Sequence, residues 1–197
     1  AAVQTSFSSA EGCPEMEWET SAKLTWDDQY LYLFVSSEDP DVYSPFTETD
    51  DHLWEHDVVE IFLDADGNRR GYVELQVNPK NTHFDTWFAV GRPNRDDSFD
   101  AKMQTQVIVR GTVDNRDDGD VGWDVEAAIP LEAARGKDPG MKIQVPPRPG
   151  DTWRLLAPKP IGQLGNGQAR VGQRRGAPAG LRRLIDELHR RPRVGGH

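Results

Sequence analysis

Val58-Val59-Glu60-Ile61-Phe62-Leu63 runs into Asp64-Ala65-Asp66-Gly67-Asn68 and returns as Gly71-Tyr72-Val73-Glu74-Leu75-Gln76-Val77-Asn78. The first run has strand length and is rich in β-branched and aromatic residues; the Asp/Gly/Asn cluster behind it is a turn. In the return, Tyr72, Glu74, Gln76 and Asn78 alternate with Val73, Leu75 and Val77. A period of two sets the polar side chains on one face of a sheet and the aliphatic ones on the other. On the first strand, Glu60 shares its side with Val58 and Phe62.

Working outward, the same pattern recurs. Upstream, Ala22-Lys23-Leu24-Thr25-Trp26 and Tyr30-Leu31-Tyr32-Leu33-Phe34-Val35 flank the turn Asp27-Asp28-Gln29 and read as a hairpin. Glu38-Asp39-Pro40-Asp41 ends it, because proline cannot donate to a β-ladder. Downstream, His83 to Phe88, Gln104 to Val109 and Trp123 to Ile129 are further strands, the last two separated by an acidic, glycine-bearing turn. No convincing helix precedes residue 150. Strands at this spacing predict an all-β fold, an antiparallel β-sandwich over residues 22–153. The stiff turn Pro146-Pro147-Arg148-Pro149-Gly150-Asp151 leads into Thr152-Trp153-Arg154, where one more core strand is expected.

Beyond Leu155 the text changes character. Residues 151–197 carry ten Lys/Arg and three Asp/Glu, a charge of +7; the first 150 residues carry thirteen and thirty, a charge of −17. Such a break is a boundary signal. We therefore divide the chain into residues 1–155, the sandwich with an incomplete N-terminal segment, and 156–197, a basic Arg/Gly/Pro-rich non-sandwich tail. The tail is read as the product of a shifted reading frame, extended or disordered over most of its length; the rival reading is a genuine basic tail that binds an anionic partner. Within it, Leu181, Leu184, Ile185 and Leu188 have the spacing of one short amphipathic helix.

Charge and composition narrow the function classes. The acidic first part repels nucleic acid and anionic membranes and suits a neutral ligand or a cation. No apolar run approaches the roughly 20 residues that cross a bilayer. The single cysteine, Cys13, excludes an internal disulfide framework and any Cys-based zinc site, and is read as a small buried hydrophobe. There is no Ser/His/Asp order, no phosphate-binding glycine loop and no nucleophile elbow. Glu60 and Glu74 resemble a glycosidase pair only in residue type, so the chain is read as non-catalytic.

Four stretches, in order and in register, resemble carbohydrate-binding module family 9 and the DOMON-like β-sandwich domains related to it. They are Leu53-Trp54-Glu55-His56-Asp57-Val58-Val59-Glu60-Ile61-Phe62-Leu63-Asp64, Trp26-Asp27-Asp28 with Leu31-Tyr32, Glu38-Asp39-Pro40-Asp41, and Gly122-Trp123-Asp124-Val125-Glu126-Ala127-Ala128-Ile129-Pro130. The resemblance covers roughly residues 20 to 154. It implies an extracellular or cell-envelope module that holds a glycan terminus or short oligosaccharide, beside or attached to a carbohydrate-active enzyme. It also implies a site in which Trp54 is one of two sugar-stacking tryptophans and Glu60 an acidic hydroxyl-binding residue. An indole face packs on the C–H face of a pyranose, and a carboxylate accepts from neighbouring hydroxyls. Gln76 falls where the sugar-binding members have an arginine, with Asn78 beside it, and Trp87 completes the candidate set. The second tryptophan, which lies beyond the Trp153 strand in the family, has no counterpart. The alternative is a structural or protein-interaction domain of the same fold that has lost sugar binding.

Two acidic groups are candidates for a structural calcium, the one cofactor expected. Asp64 and Asp66 lie in a turn with oxygens at alternate positions, although position twelve of a calcium loop would be Leu75; a plain hairpin turn is the favoured reading. Asp50, Asp51 and Asp57 form the other group. His52, His56 and His83 have no spacing that argues for zinc.

Overall fold

A computed structural model describes residues 3–5, 18–67, 70–138 and 140. The expected strand at 152–154, Cys13 and the whole of the 156–197 tail, with its predicted helix, lie outside the described residues. Those described form nine strands and three 3-10 turns, with no α-helix.

The strands are β1 (Val3–Thr5), β2 (Thr20–Trp26), β3 (Tyr30–Glu38), β4 (Val59–Leu63), β5 (Tyr72–Val77), β6 (His83–Phe88), β7 (Arg95–Asp96), β8 (Gln104–Arg110) and β9 (Gly122–Pro130). They make two sheets, one ordered β1-β2-β3-β9-β8 and the other β4-β5-β6-β7, antiparallel throughout. The expected sandwich is the observed one. Seven of the nine strands coincide with the runs read from the sequence to within three residues at either end. The exceptions are β1 and the two-residue β7, both too short to carry a period-two signal.

The two sheets face each other through one apolar cluster. The five-stranded sheet contributes Ala22, Leu24, Leu31, Leu33, Val35, Trp123, Val125, Ala127 and Ile129; the four-stranded sheet contributes Ile61, Leu63, Val73, Leu75 and Val77. Val73, Leu75 and Val77 are fully buried, each worth about 1.5–3 kcal/mol of apolar transfer. Between β7 and β8 the chain crosses from one sheet to the other, inserting Phe99, Ala101 and Met103 into the cluster. Asp85 fixes this crossing. It points inward, opposite Leu75, and its carboxylate accepts the buried Ala101 N–H at 2.8 Å. Burial is the main cause that pushes the Asp85 carboxyl up to about 6.

Period two also governs what lies outside. Across the four-stranded sheet, Glu60 pairs with Gln76 and Gln76 with Phe84; one row on, Phe62 pairs with Glu74 and Glu74 with Thr86; beyond them Tyr72 pairs with Phe88. All of these residues share the face turned away from the core.

Candidate functional site

The outer face of the four-stranded sheet combines a polar stripe with aromatic flanks. Gln76 lies fully buried between two carboxylates. Its Nε2 donates to Glu74 Oε1 at 2.9 Å and to Glu60 Oε1 at 3.3 Å. One amide therefore holds two acids from adjacent strands. Glu74 is 5% exposed, and its Oε2, like Gln76 Oε1, is a buried oxygen that receives no hydrogen bond. Burial, and then the charge of Glu74, push Glu60 up to about 7, with Arg92 opposing. The Glu74 carboxyl is raised too, chiefly by burial, against the pull of Arg92. Acceptors of this kind are costly to leave unpaired inside a fold.

Trp54 reaches this stripe from the 3-10 turn Leu53–Glu55, which Leu53 pins by complete burial. The indole meets Phe84 edge to face at 5.1 Å, and His52 stacks on it at 4.5 Å. Trp54 is thus half-buried on the outer face of the sheet and apart from the inter-sheet core. The Arg95 guanidinium stands 5.2 Å from the Trp54 ring centre and 5.0 Å from that of Phe84. Asp97 holds it at 2.5 Å. At the other end Tyr72 stacks on Phe88 at 4.6 Å and contacts Phe62 at 6.0 Å. Arg92 lies over Phe88, with Glu74 Oε2 at 3.6 Å.

The structure brings three of the five sequence-predicted sugar contacts together: Trp54, Glu60 and Gln76. Asn78 does not join them. It is fully buried one residue past β5, where its Oδ1 accepts the N–H groups of Lys80 and Thr82, and its Nδ2 donates to Ser44 Oγ and the Phe46 carbonyl. All of its hydrogen-bonding capacity goes to the turn. Trp87 lies on the opposite face, across from Val73, and packs against the core and over Gly136. Arg92, Arg95 and Phe84 were missed by the sequence reading. Two arginines three apart, beside Gly91 and Pro93 in an otherwise acidic stretch, were the available signal.

Among the acidic residues considered for calcium, Asp64, Asp51 and Asp57 serve the backbone around them. Asp64 Oδ1 caps Gly67 N–H at 3.0 Å, as in an ordinary Asx turn. Asp66 belongs to the same turn. Asp51 Oδ2 accepts Glu48 N–H at 3.3 Å, and Asp50 has a left-handed backbone with its N–H on the His83 carbonyl. Asp57 accepts Tyr43 N–H at 2.7 Å and shares a hydrogen bond with Asp39. Burial is the first cause raising both carboxyls. Among the described residues, no three His, Cys, Asp or Glu side chains gather into a metal site.

The family description "Carbohydrate family 9 binding domain-like" matches residues 2–151 of the chain, about three-quarters of its length. The chain belongs to this family. Among known proteins, the family 9 domain is similar to endo-1,4-beta-xylanase C of Paenibacillus barcinonensis, 29% identical over 130 residues, which are 64% of this chain and 10% of the xylanase. A solved structure from Bacteroides uniformis, described as a putative carbohydrate-binding protein, superposes with a TM-score of 0.56 at 17% identity, over 68% of this chain and 61% of that one. This is a likeness of fold. A family 9 module from Caldicellulosiruptor kristjanssonii, solved with cellotriose, aligns with a TM-score of 0.41 at 24% identity over 59% of this chain and 51% of that one. The chain spans about three-fifths of the Bacteroides structure and a tenth of the xylanase. Among the described residues, no helix is long and apolar enough to cross a membrane.

Proposed function

We propose that this family 9 domain binds carbohydrate non-catalytically on the outer face of the four-stranded sheet. One observation carries the reading: Trp54, Glu60 and Gln76, six to twenty-two residues apart in sequence, converge there beside buried acceptor oxygens of Glu74 and Gln76 that receive no hydrogen bond from the described residues. A pyranose is a disc with an apolar C–H face and a rim of hydroxyl donors. Trp54 supplies the surface for the first, and Glu60, Glu74 and Gln76 Oε1 supply acceptors for the second. Arg92 and Arg95 border the site and offer donors to ring and hydroxyl oxygens. The likeness to a xylanase segment supports a module that keeps a carbohydrate-active enzyme near its substrate outside the cell.

The second reading, a domain of this fold that has lost sugar binding, draws on a different observation. His52 stacks on the Trp54 ring and the Arg95 guanidinium lies over it, so a pyranose must displace one of them to reach the indole. Isothermal titration of the full chain against glucose, cellobiose and xylobiose separates the two. Binding that Trp54→Ala weakens by about 1–3 kcal/mol, the range for an aromatic anchor, supports the sugar site. Absence of heat with all three sugars favours the second reading.

A further inference from the structure

The polar stripe is short of donors and of positive charge in a specific place. Its acceptors are the two carboxylates of Glu60 and Glu74 and the Gln76 Oε1, and the internal donor to both acids is the single Gln76 NH2 group. Gln76 Oε1 and Glu74 Oε2 are buried without a hydrogen bond. Of the two nearby cations, Arg92 forms an ion pair with the stripe, at Glu74, whereas Arg95 is held mainly by Asp97. Arg95 is paired with Asp97 at 2.5 Å, and Arg92 stands over Phe88, 3.6 Å from Glu74 Oε2 and beyond hydrogen-bonding range. Neutral hydroxyls can fill the vacant lone pairs, but they bring no positive charge to the half-buried Glu60, which forms no ion pair among the described residues while Arg92 pairs with Glu74. A primary ammonium fills the lone pairs and supplies the charge, because it brings three donors and no acceptor.

Resting on the sugar-binding reading above, we propose that the ligand of this site is an amino sugar, a 2-amino-2-deoxy pyranose with a free ammonium, held by Glu60, Glu74 and the Gln76 carbonyl while its ring lies against Trp54. The raised Glu60 carboxyl expresses the same deficit as a titration, and it gives the proposal a second readout. An ammonium beside Glu60 stabilises the carboxylate, so its docking expels a proton that the free protein holds near neutral pH. The charged groups acting on Glu60 are Glu74 on β5 and Arg92 on the segment before β7; Arg95 and Asp97 act on Glu74 beyond them. N-acetylation removes the charge and two of the three donors, so the acetylated sugar loses the advantage.

The test is isothermal titration of the full chain at pH 6.5 with glucosamine, N-acetylglucosamine and glucose, repeated in two buffers of different ionisation enthalpy. Glucosamine is expected to bind about tenfold or more tighter than either of the others, a difference of about 1.4 kcal/mol, with proton release that glucose does not show. Glu74→Gln is expected to bring the glucosamine-to-glucose ratio toward one, with folding checked by circular dichroism. Glucose binding as tightly as glucosamine, without buffer-dependent heat, overturns the amino-sugar assignment and leaves the sugar site standing. Failure of all three sugars to bind overturns the amino-sugar assignment, and the sugar site falls with it when cellobiose and xylobiose also give no heat. The wild-type proton count decides the matter even if the Glu74 variant does not fold.

Discussion

Replacing Glu60 by Gln should stabilise this protein at alkaline pH, although it removes a charged group from a polar stripe. Glu60 titrates at about 7 in the fold against an ordinary 4.5, with burial the first cause and Glu74 the second. A carboxyl raised on folding holds its proton more tightly in the native state. Its contribution is therefore favourable at low pH and is lost as pH rises from the unfolded value through the folded one, between about 4.5 and 7. At about 1.36 kcal/mol per pH unit, the ceiling of that loss is about 3.4 kcal/mol. Glu60 is only half-buried on an edge strand, so water screens it, and about 1–2 kcal/mol is a fairer expectation. The amide keeps an acceptor for Gln76 Nε2 and carries no charge. Urea denaturation of wild type and Glu60→Gln at pH 5 and pH 8 measures the effect. The variant should match wild type at pH 5 and exceed it by about 1–2 kcal/mol at pH 8. A variant less stable at pH 8, or a difference that does not depend on pH, refutes the burial argument.

Two further substitutions test the placement of residues around the site. Asn78→Ala strips the turn after β5 of four hydrogen bonds and should cost about 2–4 kcal/mol in thermal or chemical unfolding. A loss under 0.5 kcal/mol contradicts its structural role. Gly136 has φ +57° and a Cβ there would fall 2.1 Å from the Trp87 ring, so Gly136→Ala should cost about 1–3 kcal/mol through strain and displacement of the indole. An unchanged melting temperature places Trp87 elsewhere.

The strands were legible because both sheets are two-faced. Alternation in β5 alone assigned Val73, Leu75 and Val77 to the core and Glu74 and Gln76 to the opposite side. The same rule misled at its margins. Asn78 continues the polar alternation, but β5 ends at Val77, and beyond it the side chain answers to the turn. Trp87 carries a sugar-stacking side chain type on the wrong parity. Its strand pairs Trp87 with Val73, and only the β5–β6 register, which no local pattern reveals, sends it inward. Phe84 has the opposite parity, and the same register puts it beside Gln76 and against Trp54. Arg92 and Arg95 could be found only from their charge in an acidic stretch, because β7 is two residues long and its loop has no periodicity. The acidic turns drew a calcium reading from composition, whereas carboxylates at such positions also cap backbone N–H groups, as Asp64 and Asp51 do.

The central claim is that a sugar lies on the outer face of the four-stranded sheet. The most direct measurement is amide and indole chemical-shift mapping of the isotope-labelled full chain during titration with glucosamine and cellobiose. The account predicts that the Trp54 indole, the Gln76 side-chain amide and the backbone of β4, β5 and β6 shift together, with β2 and β8 undisturbed. Shifts concentrated on the five-stranded sheet, with Trp54 and Gln76 unmoved, would contradict it.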